Sequence, residues 1–191
     1  MLNSVRKILP LAIAFLLALW GAAFAGENAD IVVSLDSPAE ASGLGAGATI
    51  EVTLSASGMV NVGQFNIILE VSPADAFDLD ATTFVADTGW PQPFISPGVE
   101  QPAAGQVKSG GAVLGAGRQE GDAVFGVFTL TTSAGFTADT EATITVAEVS
   151  LGPSSSERDV FDADALGLGI AINVPVVIIE PTLTAGSPDD V

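Results

Sequence analysis

Acid pairs are the residues in this chain whose type and spacing could do chemistry. Asp78 and Asp80 stand two apart, as do Asp162 and Asp164, and Glu157 and Asp159 shortly precede the second pair. Carboxylate oxygens are hard ligands and suit calcium. Two carboxylates facing each other across a cleft could also serve glycoside hydrolysis. Neither cluster shows the acids at positions 1, 3 and 5 followed by glycine that an EF-hand-type loop needs. The acids therefore read as solvated turn carboxylates, with Asp78, Asp80, Asp162 and Asp164 as the calcium candidates. No feature sets a particular two across a cleft, so no catalytic residue is assigned and no cofactor is expected.

The chain has no histidine, no cysteine and no tyrosine. That removes the commonest general base, the commonest zinc ligand and all thiol chemistry. Trp90 and Phe94 sit in an irregular stretch with four prolines between residues 89 and 105. Aromatic rings in a loop can stack on a sugar, which makes these two the glycan-binding candidates. The plainer expectation is that they plug the end of a sandwich. The run GLGAG at 43–47 has no helix after it, so it reads as a flexible loop rather than a phosphate cradle.

The elements that must position these groups are strands. Residues 62–73 read VGQFNIILEVSP, with Phe65, Ile67, Leu69 and Val71 facing one way and Gln64, Asn66, Ile68 and Glu70 the other. This is the period-2 pattern of a strand with one buried face. Pro73, which lacks an N–H, ends it. Further strands are expected at 31–35, 49–56, 83–86, 106–114, 123–132, 141–151 and 166–174. Residues 37–47, 115–122 and 152–159 read as loops or turns, and 74–80 as a short turn or helix. No helical periodicity is sustained beyond two turns, so the class is all-β.

Residues 1–25 read as a leader. Arg6 and Lys7 precede an apolar run at 8–20, and Ala23-Phe24-Ala25 places small residues where a signal peptidase cuts, before Gly26. The chain from Gly26 onward would hold only Lys108, Arg118 and Arg158 against 23 acids, a net charge of −20. Such a surface repels nucleic acid and anionic lipid. It suits a saline exterior, a cationic partner or calcium. Without cysteine, stability has to come from core burial. Residues 26–174 form one domain. Residues 175–191 read as a tail or linker, in which 176–179 could add a strand.

Five segments carry a family resemblance. VVSLDSPAEASGLGAGATIEVTLSA, VGQFNIILEVSP, GDAVFGVFTL and EATITVAEVSLGPSSSERDV, followed by LGLGIAINV, resemble successive strands of cohesin domains in order and spacing. The resemblance covers most of residues 30–174. It implies a nine-stranded jelly-roll β-sandwich, related to carbohydrate-binding modules, that docks a dockerin module on one sheet face and has no catalytic activity. It also implies a bacterial, exported setting, secreted or at the cell surface, in polysaccharide-degrading or surface assemblies. The partner is then a dockerin-like protein, or alternatively a polysaccharide, with no membrane contact after the leader is removed. A structural or adhesion role at the cell surface is the further alternative.

In the cohesin pattern the strands at 62–71, 123–132 and 141–151 share one sheet. With Phe128 and Leu130 placed in the core, alternation puts Phe125, Val127 and Thr129 outside, and Ile144 and Val146 inward put Thr143 and Thr145 outside. The expected docking face therefore carries Asn66, Ile68, Glu70, Phe125, Val127, Thr129, Thr143 and Thr145. Apolar groups with hydrogen-bonding neighbours suit a helical protein partner.

Overall fold

A computed structural model describes residues 26–174; the expected leader (1–25) and the tail with its possible strand (175–191) lie outside the described residues. The chain runs β1 (Val32–Leu35), β2 (Glu40–Ala41), β3 (Thr49–Val62), β4 (Gln64–Ser72), β5 (Phe77–Ala86), β6 (Phe94–Ile95), β7 (Gln106–Val113), β8 (Gln119–Thr132), β9 (Ala142–Ser154), β10 (Glu157–Asp162), α1 (Ala163–Leu166) and β11 (Gly169–Ile172). One sheet has four strands in the order β1-β3-β8-β5. The other has seven, in the order β2-β11-β9-β4-β7-β6, with β10 also paired to β9. The two sheets form a sandwich around a single apolar core.

Alternation makes this core. Phe65, Ile67, Leu69 and Val71 of β4 are all buried, as are Val52 and Leu54 of β3 and Ile144 and Val146 of β9. β4 lies in the middle of its sheet, between β9 and β7, and ends at Ser72, before Pro73. Burying each such aliphatic side chain contributes about 1.5–3 kcal/mol. This burial takes the place of disulfides in a chain without cysteine.

The structure revises the expected nine strands to eleven among the described residues. Two of these, β2 and β6, have only two residues each. Residues 152–159, expected as a loop, instead complete a hairpin: β9 continues to Ser154 and β10 returns along it. Residues 37–47 hold β2, and the turn expected at 115–122 is already strand from Gln119. One helical turn, α1, also escaped the sequence pattern. Asp162 caps its start by accepting from the Ala165 N–H at 3.0 Å, and Gly167 ends it at φ 60°, where glycine has no steric penalty.

A larger correction concerns β8. It does not join β4 and β9; it pairs with β3 and β5 in the opposite sheet. Period-2 patterning fixes which face of a strand is buried. It does not fix which strands lie beside it. A second correction follows inside β8. Leu54 stands opposite Gly126 but Ser55 stands opposite Val124, so Phe125 is an extra, bulged residue. A bulge breaks the alternation and turns the next side chain to the other face. Phe125 is thereby 0% exposed, in the core rather than on the surface.

Candidate functional site

The outer face of the seven-stranded sheet is read from its register. Gly110, Asn66, Ser150 and Val160 form one row across β7, β4, β9 and β10. Lys108, Ile68, Glu148 and Asp162 form the next. Gln106, Glu70 and Thr145 form a third, with Ser72 paired to Thr143 beyond it. In β7, β4 and β9 these residues are the outward neighbours of buried ones, because side chains alternate along a strand, and Val160 and Asp162 of β10 flank the half-buried Phe161. The β-bulge in β9 falls at Ala147, between the Glu148 and Val146 pairings, and keeps Val146 and Val149 both inward.

The rows place apolar surface among hydrogen-bonding groups. Val160 is an exposed hydrophobe and Ile68 is half-buried. Glu70 Oε2 accepts from Gln106 Nε2 at 2.8 Å. Lys108 Nζ lies 3.9 Å from Glu100 Oε2. A pair this exposed contributes about 0–1 kcal/mol and leaves the lysine open to a competing partner. Ser150 forms a fully buried floor between Asn66 and Val160, and its hydroxyl has no hydrogen-bond partner in the protein. Such a surface could bind by contact and hydrogen bonding. It brings no nucleophile beside a base.

Of the expected docking residues, Asn66, Ile68, Glu70, Thr143 and Thr145 do come together here. Val127 and Thr129 do not. They lie on the outer face of the four-stranded sheet, on the far side of the sandwich, paired with Val85 and Thr83. Phe125 is in the core, as described above. The sequence reading missed Lys108, Glu148 and Val160. Alternation from Val107 would have found Lys108. Nothing marked Val160, because the first half of its strand was read as part of the 152–159 loop and no strand was expected from 160 to 165.

The glycan candidates also change. Trp90 is 1% exposed and its indole N–H donates to the Val124 carbonyl at 2.9 Å. Phe94, half-buried, stacks on it at 5.5 Å. The pair closes the sandwich interior, so Trp90 offers no face to a sugar. Among the acids, Asp80 Oδ1 accepts from Gln101 Nε2 at 2.7 Å, in an open cleft that Asp75 and Asp78 also line. Asp162 is occupied as the α1 cap, and Asp164 sits in that helix's first turn. Among the described residues no three acids are grouped to hold a metal ion. Nor is any described helix long and apolar enough to cross a membrane.

Comparison with solved structures adds the fold family. A cohesin module from a family 33 glycoside hydrolase of Clostridium perfringens superposes with a TM-score of 0.50 at 16% identity, covering 75% of this chain and 96% of that one. The fold is that of a cohesin module. The sixth cohesin of Acetivibrio cellulolyticus scaffoldin B, solved with a dockerin, gives 0.46 at 15% identity, over 76% of this chain and 99% of that one. A type I cohesin from Clostridium thermocellum, also solved with its dockerin, gives 0.46 at 15%, over 74% and 95%. No protein-family profile matches the sequence, and no curated protein does. The cohesin likeness is therefore one of fold, with the outer faces of the two sheets built from this chain's own residues.

Proposed function

We propose that this protein is a non-catalytic docking module that takes a dockerin-like protein on the outer face of its seven-stranded sheet. The observation that carries the reading is the pairing of apolar groups, Val160 exposed and Ile68 half-buried, with polar ones in adjacent rows. Ile68 and Val160 offer contact area, and Asn66, Lys108, Glu148 and Thr145 offer hydrogen bonds around it. An interface with an apolar centre and a polar surround suits an amphipathic helical partner. The resemblance to cohesin sequences supports the dockerin class of partner. The same reading makes the protein an exported bacterial one, with 1–25 removed and 175–191 as a tail, acting in extracellular or surface assemblies. The burial of Trp90 counts against a polysaccharide platform at that site.

Titration calorimetry against the dockerin modules encoded in the source genome tests the reading. Ile68→Asp is expected to weaken binding at least about 100-fold, since a charge enters the desolvated centre. Val85→Asp, on the opposite sheet, is expected to leave it unchanged. If Val85→Asp is the damaging change, the docking face is the other sheet. If no dockerin binds the unaltered protein, the partner class is wrong.

A further inference from the structure

The first described residues are clasped onto the sandwich. Asn28 is 1% exposed, and it behaves like a short partner strand to β3. Its Oδ1 accepts from the Val60 N–H at 2.8 Å, and its Nδ2 donates to the Val60 carbonyl at 3.0 Å. Its own backbone N–H donates to Asp159 Oδ2 on β10 at 3.0 Å. One residue thus ties the four-stranded sheet to the seven-stranded one.

Two residues earlier, Gly26 lies against the same carboxylate. A Cβ on Gly26 would collide with both oxygens and the carboxyl carbon of Asp159, so a larger residue here would have to push the carboxylate aside. The Gly26 nitrogen is bonded to the Cα that makes this approach, at about 1.46 Å, which keeps it within about 4.5 Å of the carboxylate. The surroundings are acidic. Glu27, Glu157 and Asp159 line a cleft of about 330 Å³ together with Asn28, Asn61 and Pro153. Glu27 accepts from Asn61 Nδ2 at 3.2 Å, and Glu120 on β8 accepts from the Asn61 N–H at 3.0 Å. Arg158, the neighbouring base on β10, shares the strand face of Val160 and Asp162 instead, by alternation.

In the export reading proposed above, on which the inference rests, a signal peptidase cuts between Ala25 and Gly26. We infer that Asp159 is the seat of the α-ammonium that this cleavage creates. Hydrolysis of the Ala25–Gly26 peptide bond consumes one water. The new carboxylate leaves with the leader, and the new amine stays on Gly26 and takes a proton. A neutral amide is replaced by a cation beside Asp159, in the cleft that Glu27 and Glu157 also line. Export processing then strengthens the clasp between the two sheets through a charge-assisted contact that the precursor cannot make.

The sign of the pH effect is fixed. An unperturbed α-amino group titrates near about 7.7–8.0. A carboxylate partner raises that value in the folded protein, so the contribution is complete below about pH 7.7 and is lost as pH rises through the folded value. The test uses protein secreted from the full 191-residue precursor, with its first residue read by mass spectrometry. Between pH 7 and 10 the thermal midpoint of the processed protein is expected to fall by about 2–4 °C more than that of processed Asp159→Asn. The Gly26 amine of the unaltered protein, followed by NMR, is expected to titrate above about 8. Superimposable pH profiles overturn the inference. So does an amine that titrates at or below its ordinary value, or a secreted chain that starts at any other residue.

Discussion

Trp90 and Phe65 hold their rings 4.7 Å apart with planes tilted by 35°, inside the sandwich. Phe65 belongs to β4 of the seven-stranded sheet. The carbonyl that receives the Trp90 N–H belongs to Val124 of β8, in the four-stranded one. A residue from the loop between β5 and β6 therefore links both layers. Phe125 and Phe94 complete the cluster, at 6.1 and 5.5 Å from the indole.

Trp90→Ala should lower stability by about 3–5 kcal/mol, through lost burial and the cavity left behind. Trp90→Phe should lose less, about 1–2 kcal/mol, because a ring remains but the Val124 carbonyl loses its donor. Urea unfolding followed by fluorescence or circular dichroism checks both. A tryptophan serving only as a sugar platform would leave the midpoint where it is.

Phe94 and Gly111 form a second interlocked pair. A Cβ at Gly111 would enter the Phe94 ring. Gly111→Ala should therefore destabilise by about 1–3 kcal/mol through overpacking. Combined with Phe94→Leu, the alanine should cost less than the sum of the two single changes. A double-mutant cycle measures that coupling, and strict additivity would show that the contact does not govern this site.

Asn173 sits at φ 52° and closes the end of the sandwich. Its Oδ1 accepts from the Leu44 N–H at 3.0 Å, and its Nδ2 donates to the carbonyls of Leu44, Thr137 and Thr140 at 3.0, 3.2 and 3.2 Å. Asn173→Ala should cost about 2–4 kcal/mol, from unpaired buried groups together with a left-handed backbone that alanine disfavours. Asn173→Gly removes the same hydrogen bonds without the steric term, and should be milder by about 1 kcal/mol. Equal losses in the two variants would leave the backbone term without effect.

Thr82 carries a liability. It is 6% exposed, and its hydroxyl has no hydrogen-bond partner in the protein. It lies where β5 bulges away from β8, between the Asp78 and Thr83 pairings. Thr82→Val keeps the branched shape and deletes the orphaned oxygen, so it should raise stability by about 1 kcal/mol. Thermal unfolding reads the change, and a drop in the midpoint would mean that the hydroxyl has a partner after all.

The sequence by itself determined the class of this fold and most of its inward residues. Alternation in 62–71 and 141–146 is a local property, set by backbone geometry, and it put Phe65, Ile67, Ile144 and Val146 in the core and Asn66, Ile68, Thr143 and Thr145 outside. It could not determine which strands lie together, because strand neighbours are chosen by contacts far apart in the chain. That is why Val127 and Thr129 went to the opposite sheet and why β10, bearing Val160, was not foreseen. Nor could it find the bulge at Phe125, since one extra residue leaves the apolar pattern readable while reversing the face. Trp90 shows the same limit. Its type suits a sugar or a core equally well, and only the layer of rings packed against it from both sheets decided for the core.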